Sequence, residues 1–295
     1  MDLKVEPGKY VVAVSGGVDS VALLHLLAGR PDIELVVAHF DHGIRSDSVK
    51  DRRLVGELAH THGLPYIYRE GRLGPRASEA NARKARYSFL HEIRQASRAQ
   101  AVITAHHQDD VLETIVLNLL RGTGRRGLSS LRSTDVVKRP LLHMPKKELL
   151  RFANREGLQW REDSTNQDEA YLRNYIRKHI MPRFADADRE ALLAISHRTH
   201  ELNVAISGQV TNYLHMQPHA AKLDRRQYVM LPHTVAREVM AEWLVSHTGV
   251  ELSRKLLERL VIAAKTGQVG SKTDIDAGHW LVIDRTTLAL EPRER

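Results

Sequence analysis

The chain has 295 residues, 42% hydrophobic and 27% charged, the proportions of a soluble globular protein long enough for two domains. Cysteine is absent, which excludes disulfides, thiolate metal sites and cysteine nucleophiles together, and no apolar run reaches the roughly 18 residues of a membrane span. A net charge of +8 suits a polyanionic partner, with nucleic acid the first candidate.

The first residues lack the basic-then-apolar order of a secretory signal, so a cytoplasmic location is expected. Residues 10–14 form an apolar run that reads as a buried strand. Residues 21–27 read as an amphipathic helix, with Ser15-Gly16-Gly17-Val18-Asp19-Ser20 as the tight turn between them. A second buried strand is expected over 33–40 and a helix over 48–62, stopped by Gly63 and Pro65. A short strand over 65–68 precedes a long helical pattern over 78–97. Residues 101–105 then form another buried strand, running into a helix from about 109 to 120.

Repeated strand–helix units predict an α/β fold, a parallel twisted sheet with helices on both faces. The pattern changes near Pro182. Helices are expected over 185–202, 233–246 and 253–265, with short alternating runs at 280–283 and 287–290. These predict a catalytic domain over 1–184 and a smaller helical α+β domain over 185–295.

The Ser15–Ser20 loop has the makings of a phosphate cradle. Its two glycines let the backbone approach a ligand closely, and the N–H groups of the turn and first helical turn attract an anion. Ser15 and Ser20 add hydroxyl donors, and Asp19 can hold a divalent cation against bound phosphates. No lysine follows the glycines, so this is not the Walker-type loop.

Other constellations fall at strand ends, where ligands gather in parallel sheets. In His106-His107-Gln108-Asp109-Asp110, followed by Glu113, helical spacing puts carboxylates on one face, favouring a cation or an ammonium. A second loop reads His39-Phe40-Asp41-His42-Gly43-Ile44-Arg45. Arg83 and Arg86 share a helical face that could grip phosphate, although a surface ladder of ion pairs is the commoner meaning. Arg121, Arg125 and Arg126 lie among three glycines in a basic loop suited to RNA phosphates. Arg139-Pro140-Leu141-Leu142, Glu162-Asp163-Ser164 with Asn166, and Tyr171 to Arg177 complete the series.

The six-residue loop resembles the pyrophosphate-binding motif of the N-type ATP pyrophosphatases, the PP-loop superfamily. The ordered series over residues 10–184 closely resembles the tRNA(Ile)-lysidine synthetases within it; Asp41 departs from the more usual asparagine. The resemblance implies an adenine nucleotide alpha hydrolase-like sheet and use of ATP and Mg²⁺. It also implies ligation of free L-lysine to the wobble cytidine of the CAU-anticodon isoleucine tRNA, through an adenylated cytosine. Ser15, Gly16, Gly17, Val18, Asp19, Ser20 and His39 would then bind the nucleotide, with Asp19 on the metal. His106 would position the α-phosphate or base, and Asp110 and Glu113 would bind lysine. Arg173 and Arg177 would touch tRNA, lysine or the adenylate. Arg83, Arg121, Arg125 and Arg126 would hold RNA, and the second domain would bind the tRNA body. Whether the protein is a monomer or a homodimer stays open. The rival assignments are a small-molecule, amide-forming ATP pyrophosphatase and a metal phosphohydrolase that needs no ATP.

Overall fold

The structure, a computed structural model, describes residues 3–43, 48–71, 74, 79–161, 172–217, 221–250 and 252–293. Arg45, Ser78, Glu162, Asp163, Ser164, Asn166 and Tyr171 lie outside the described residues. The chain forms two compact units, Met1–Thr199 and His200–Arg295.

The first unit alternates strand and helix as expected: β1 (Gly8–Ala13), α1 (Val18–Ala28), β2 (Ile33–Asp41), α2 (Ser48–Thr61), β3 (Tyr66–Glu70), α3 (Glu79–Ala96), β4 (Ala101–Ile103) and α4 (Gln108–Leu120). There follow α5 (Arg125–Leu128), β5 (Val137–Lys138), α6 (Lys146–Arg155) and α7 (Leu172–Tyr175). The last runs into a π-helical turn, Ile176–Ile180, and a 3₁₀ turn, Met181–Arg183. The five strands are parallel in the order β3-β2-β1-β4-β5.

Period-two alternation puts Tyr10 and Val12 of β1 on one face with Leu35, Val37 and Ile103, packed beneath α1, α2 and α6. Val11, Val36 and Val102 face the other way, against Phe89, Leu90 and Ile93 of α3. Burial of each such side chain is worth roughly 1.5–3 kcal/mol, so the sheet is a rigid base for the loops at its carboxyl ends.

Some elements depart from those expected. The strand over 65–68 becomes an edge strand with Ile67 and Tyr68 exposed, the Tyr68 ring covered by the Arg52 guanidinium at 4.8 Å. Helix α6, not expected at all, buries Leu149, Phe152 and Ala153 against the sheet.

A long helix, α8 (Asp186–His215), continues past the expected end at 202 and contains the boundary between the units. The second unit adds β6 (Lys222–Asp224), α9 (Arg225–Met230), α10 (His233–Thr248), α11 (Arg254–Thr266), β7 (Lys272–Asp274), β8 (His279–Ile283) and β9 (Thr287–Pro292). Its antiparallel sheet, in the order β6-β9-β8-β7, packs around Trp243, Tyr228, Leu244, Leu260, Val261, Ile283 and Leu288. Gly249, in the left-handed region at φ 65°, ends α10. The Arg225 guanidinium donates to the carbonyls of Ala264, Gly267 and Asp284, fastening the end of α11 to the sheet. Among the described residues no helix is long and apolar enough to cross a membrane.

Candidate active site

The turn after β1 is shaped by Gly16, whose φ of 95° a side chain would strain. Gly17 caps α1 in an extended conformation and offers no side chain to the first N–H groups of the helix. The Ser15 N–H donates to Ser20 Oγ at 3.1 Å, and Ser20 Oγ–H donates to the Gly17 carbonyl at 2.9 Å. The Ser20 N–H also donates to the Gly17 carbonyl at 3.1 Å and the Gly17 N–H to Ser15 Oγ at 3.4 Å, so the turn is braced by its own groups. Arg161 braces it from outside, its N–H donating to the Gly16 carbonyl and its Nε to Asp51 at 2.6 Å.

Facing this loop is the start of α4. Buried His107 places Nε2 at 3.5 Å from Asp19 Oδ2 and 3.6 Å from Asp110 Oδ2. Lys146 Nζ, at the first turn of α6, lies 3.6 Å from the same Asp19 oxygen. Burial alone would raise the Asp19 carboxyl, but His107 and Lys146 more than offset it and hold it below its ordinary value. Burial works against charge on His107 as well, yet Asp19 and Asp110 leave it raised. The two shifts agree on an ion pair at the floor of the site. Asp19 Oδ1 is buried and has no partner among the described residues. Such an oxygen in the loop fits Mg²⁺, which takes one or two carboxylates and completes its shell with phosphate and water.

Two histidines are held neutral. His39 Nδ1 lies 2.8 Å from the Val14 carbonyl and therefore carries the proton, leaving buried Nε2 as an acceptor without a partner among the described residues. Burial pushes its pKa down. His106 bonds Thr104 Oγ1 through Nδ1 at 2.8 Å. Burial, then the charges of Arg139, Arg86, Arg83 and Arg173, hold it well below the usual histidine range.

One cavity of about 800 Å³ joins these groups, large enough for a nucleotide. Of the residues singled out from sequence, Ser15, Gly17, Val18, Asp19, Ser20, His39, His106, Asp110 and Arg177 line it. Gly16, Arg83, Glu113 and Arg173 are not among its lining residues. Exposed Arg121 and Arg126, with half-buried Arg125, lie past the end of α4, on α5 and its approach, away from the cavity.

Glu113 has partners that its sequence position did not suggest. Its Oε1 accepts from Arg177 Nε at 2.6 Å, and Oε2 accepts from Arg173 Nε at 3.0 Å and Arg177 Nη2 at 2.9 Å. Arg177 stands on the π-helical turn, a distortion that often marks a functional site. Asp110, by contrast, stays 3.8–3.9 Å from both arginines and faces the cavity. Asp109 is a brace: it accepts from the Lys146 N–H at 2.8 Å and from Arg189 Nη1 at 3.3 Å, tying α4 to α6 and α8.

The glycine-shaped loop at the end of β1 thus brings Asp19 against His107, which also meets Asp110, at the end of β4. The family model for the PP-loop domain matches residues 3–184. The chain belongs to the PP-loop domain family. It is 32% identical over 274 residues to a tRNA(Ile)-lysidine synthase of Solibacter usitatus, covering 92% of this chain and 59% of that one. It is 35% identical to the tRNA(Ile)-lysidine synthase of Nostoc sp., covering 86% of this chain and 74% of that protein. The chain thus spans about three fifths of the Solibacter relative's length. A U34-tRNA thiolase from Methanococcus maripaludis shares the fold at TM-score 0.56 and 18% identity, over 67% of this chain and 73% of that one.

Several residues of this PP-loop site escaped the sequence reading. His107 lay inside a recognised motif but was passed over for its neighbour. Lys146 could have been placed by Pro145 and Glu148, which mark a helix start before an apolar run. Arg161 meets Asp51, which follows the His39–Arg45 motif, across 110 positions of chain, a pairing that no local pattern encodes.

Proposed function

We propose that this chain ligates L-lysine to C2 of the wobble cytidine of the CAU-anticodon isoleucine tRNA, consuming ATP and releasing pyrophosphate and AMP. The observation that carries the proposal is the cavity in which the Ser15–Ser20 loop, carrying Asp19, faces His107 and Asp110. The similarity to tRNA(Ile)-lysidine synthases supports the choice of substrate.

The loop N–H groups and the Ser15 hydroxyl hold the β and γ phosphates and stabilise the charge of the departing pyrophosphate, with Ser20 fixing the turn that presents them. Mg²⁺ held by Asp19 would supply charge neutralisation at those phosphates. His107 and Lys146 fix the Asp19 carboxylate. His39 Nε2 accepts a hydrogen bond from the nucleotide, and neutral His106 orients the α-phosphate or the cytosine through its second ring nitrogen. The cytosine leaves its stack to reach these groups. Asp110 holds the lysine ε-ammonium and takes its proton as the amine attacks C2; the new C–N bond forms as the C2–O bond to AMP breaks. Glu113 contributes to lysine recognition by fixing Arg173 and Arg177 around that position. The Arg121–Arg126 loop and residues 185–295 hold the tRNA, and the reaction takes place in the cytoplasm.

Incubation with radiolabelled lysine, ATP and Mg²⁺ tests the proposal, comparing isoleucine CAU tRNA, elongator methionine tRNA and a C34U control. ATP-dependent label on the first alone is the expected result. Folded protein that binds ATP and labels no tRNA would point instead to a small-molecule synthetase.

A further inference from the structure

The wall of the cavity near His106 carries a cluster that the chemistry above leaves unused. Tyr87, on α3, has the Arg83 guanidinium 4.8 Å and the Arg86 guanidinium 5.5 Å from its ring centre. Arg139, which follows β5, donates to the Tyr87 hydroxyl at 3.3 Å. Three positive charges therefore gather on one phenol ring, and Arg86 lines the cavity itself.

Several other arginines of the unit are ion-paired. Arg161, Arg173, Arg177 and Arg189 each sit within ion-pair distance of a carboxylate. No carboxylate among the described residues pairs with Arg83 or Arg139. Arg139 is only 9% exposed, and its Nε is buried with no partner among the described residues. A buried guanidinium beside two others costs free energy unless an anion joins them. The charges also reach His106. Arg86 brings this cluster to the cavity, whose other charged lining includes Asp19, Asp110, Lys146 and Arg177.

We propose that Tyr87, Arg83, Arg86 and Arg139 form a second anion site, separate from the phosphate cradle, which takes an RNA backbone phosphate flanking the nucleotide that enters the cavity. The proposal rests on the function stated above and names the part of the RNA that this wall holds. Guanidinium forks match phosphate oxygens, and an aromatic ring among them offers a stacking surface for an unpaired base. The ATP phosphates are already provided for on the opposite side, by the Ser15–Ser20 loop.

The test uses full-length protein and an anticodon stem–loop RNA with CAU, in two forms. One is unmodified; the other carries a neutral methylphosphonate in place of the phosphate on one or the other side of the cytidine. Arg83→Gln is the main variant, because Arg83 is exposed and its loss should not disturb folding. It should weaken binding of the unmodified RNA roughly tenfold, the worth of a charged hydrogen bond. The slope of log affinity against log salt should flatten by about 0.7, one single-strand phosphate contact. On the methylphosphonate RNA that marks the contact, the variant should add little further loss. Unchanged RNA affinity and salt slope in Arg83→Gln overturn the proposal. A raised KM for lysine with unchanged RNA binding also overturns it and assigns the cluster to the amino-acid carboxylate. Wild-type protein that binds no RNA at any salt would overturn the proposed function along with it.

Discussion

The two units of this chain bury different things. All eleven polar or charged side chains found buried among the described residues, from Ser20 to Ser196, lie in Met1–Thr199. Among the described residues of His200–Arg295 the buried side chains are apolar or aromatic, and the phenol of Tyr228 is satisfied by the Ala236 carbonyl at 2.9 Å. Burying a charge is costly unless it is paired, so a fold that does so repeatedly has a use for it. Several of these groups, Ser20, His39, Asp41, Asp51, Thr104 and His107, line the cavity. The first unit tolerates unfavourable burial to build a site, whereas the second contributes a conventionally packed core and a surface.

The contrast can be broken most directly at Asp19. Asp19→Ala should abolish turnover, a fall of at least 10²–10³-fold, while leaving the apolar cores and the melting temperature close to wild type. Near-normal turnover, measured as pyrophosphate release, would remove Asp19 from the mechanism. In the second unit, Trp243→Ala should cost about 3–5 kcal/mol through the cavity it leaves. ATP binding by the first unit should survive; calorimetry that showed both units melting together would deny them separate cores.

Glu113→Gln sharpens the comparison within the first unit. Removing one partner of a buried charge pair costs about 3–5 kcal/mol, because Arg173 and Arg177 then lose their counter-charge. The same change should raise the KM for lysine far more than that for ATP. An unchanged lysine KM with a lowered melting temperature would make Glu113 a structural brace alone.

A smaller effect is expected from pH. Burial depresses the pKa of His39, and burial with four arginines depresses that of His106. The unfolded histidines take up protons near pH 6.5 while the folded ones resist, so the stability they contribute is complete above about pH 6.5 and is lost as pH falls toward the folded values. Melting temperature should therefore drop on acidification, and His106→Gln should blunt the drop.

Much of this was legible in the chain. The strand–turn–helix around Ser15 to Ser20 follows from an apolar run, two glycines and an amphipathic segment, and β2, β4 and α4 follow in the same way. What stayed hidden is long-range. The Arg161–Asp51 pair, the clamp of Arg173 and Arg177 on Glu113, and the approach of Lys146 to Asp19 depend on how distant segments stack. Local periodicity carries no information about that. The same limit explains α6, whose apolar face has meaning only once α1 and the sheet are there to receive it.

The central claim is that one cavity adenylates a cytosine and then passes it to lysine. Wild-type protein with tRNA, Mg²⁺ and ATP labelled in the α-phosphate, but no lysine, tests this in a single rapid-quench experiment. The account predicts acid-stable label on the isoleucine tRNA that is chased into free AMP when unlabelled lysine is added. Label that never reaches the tRNA, with AMP formed only when tRNA and lysine are present together, would contradict a discrete adenylated intermediate.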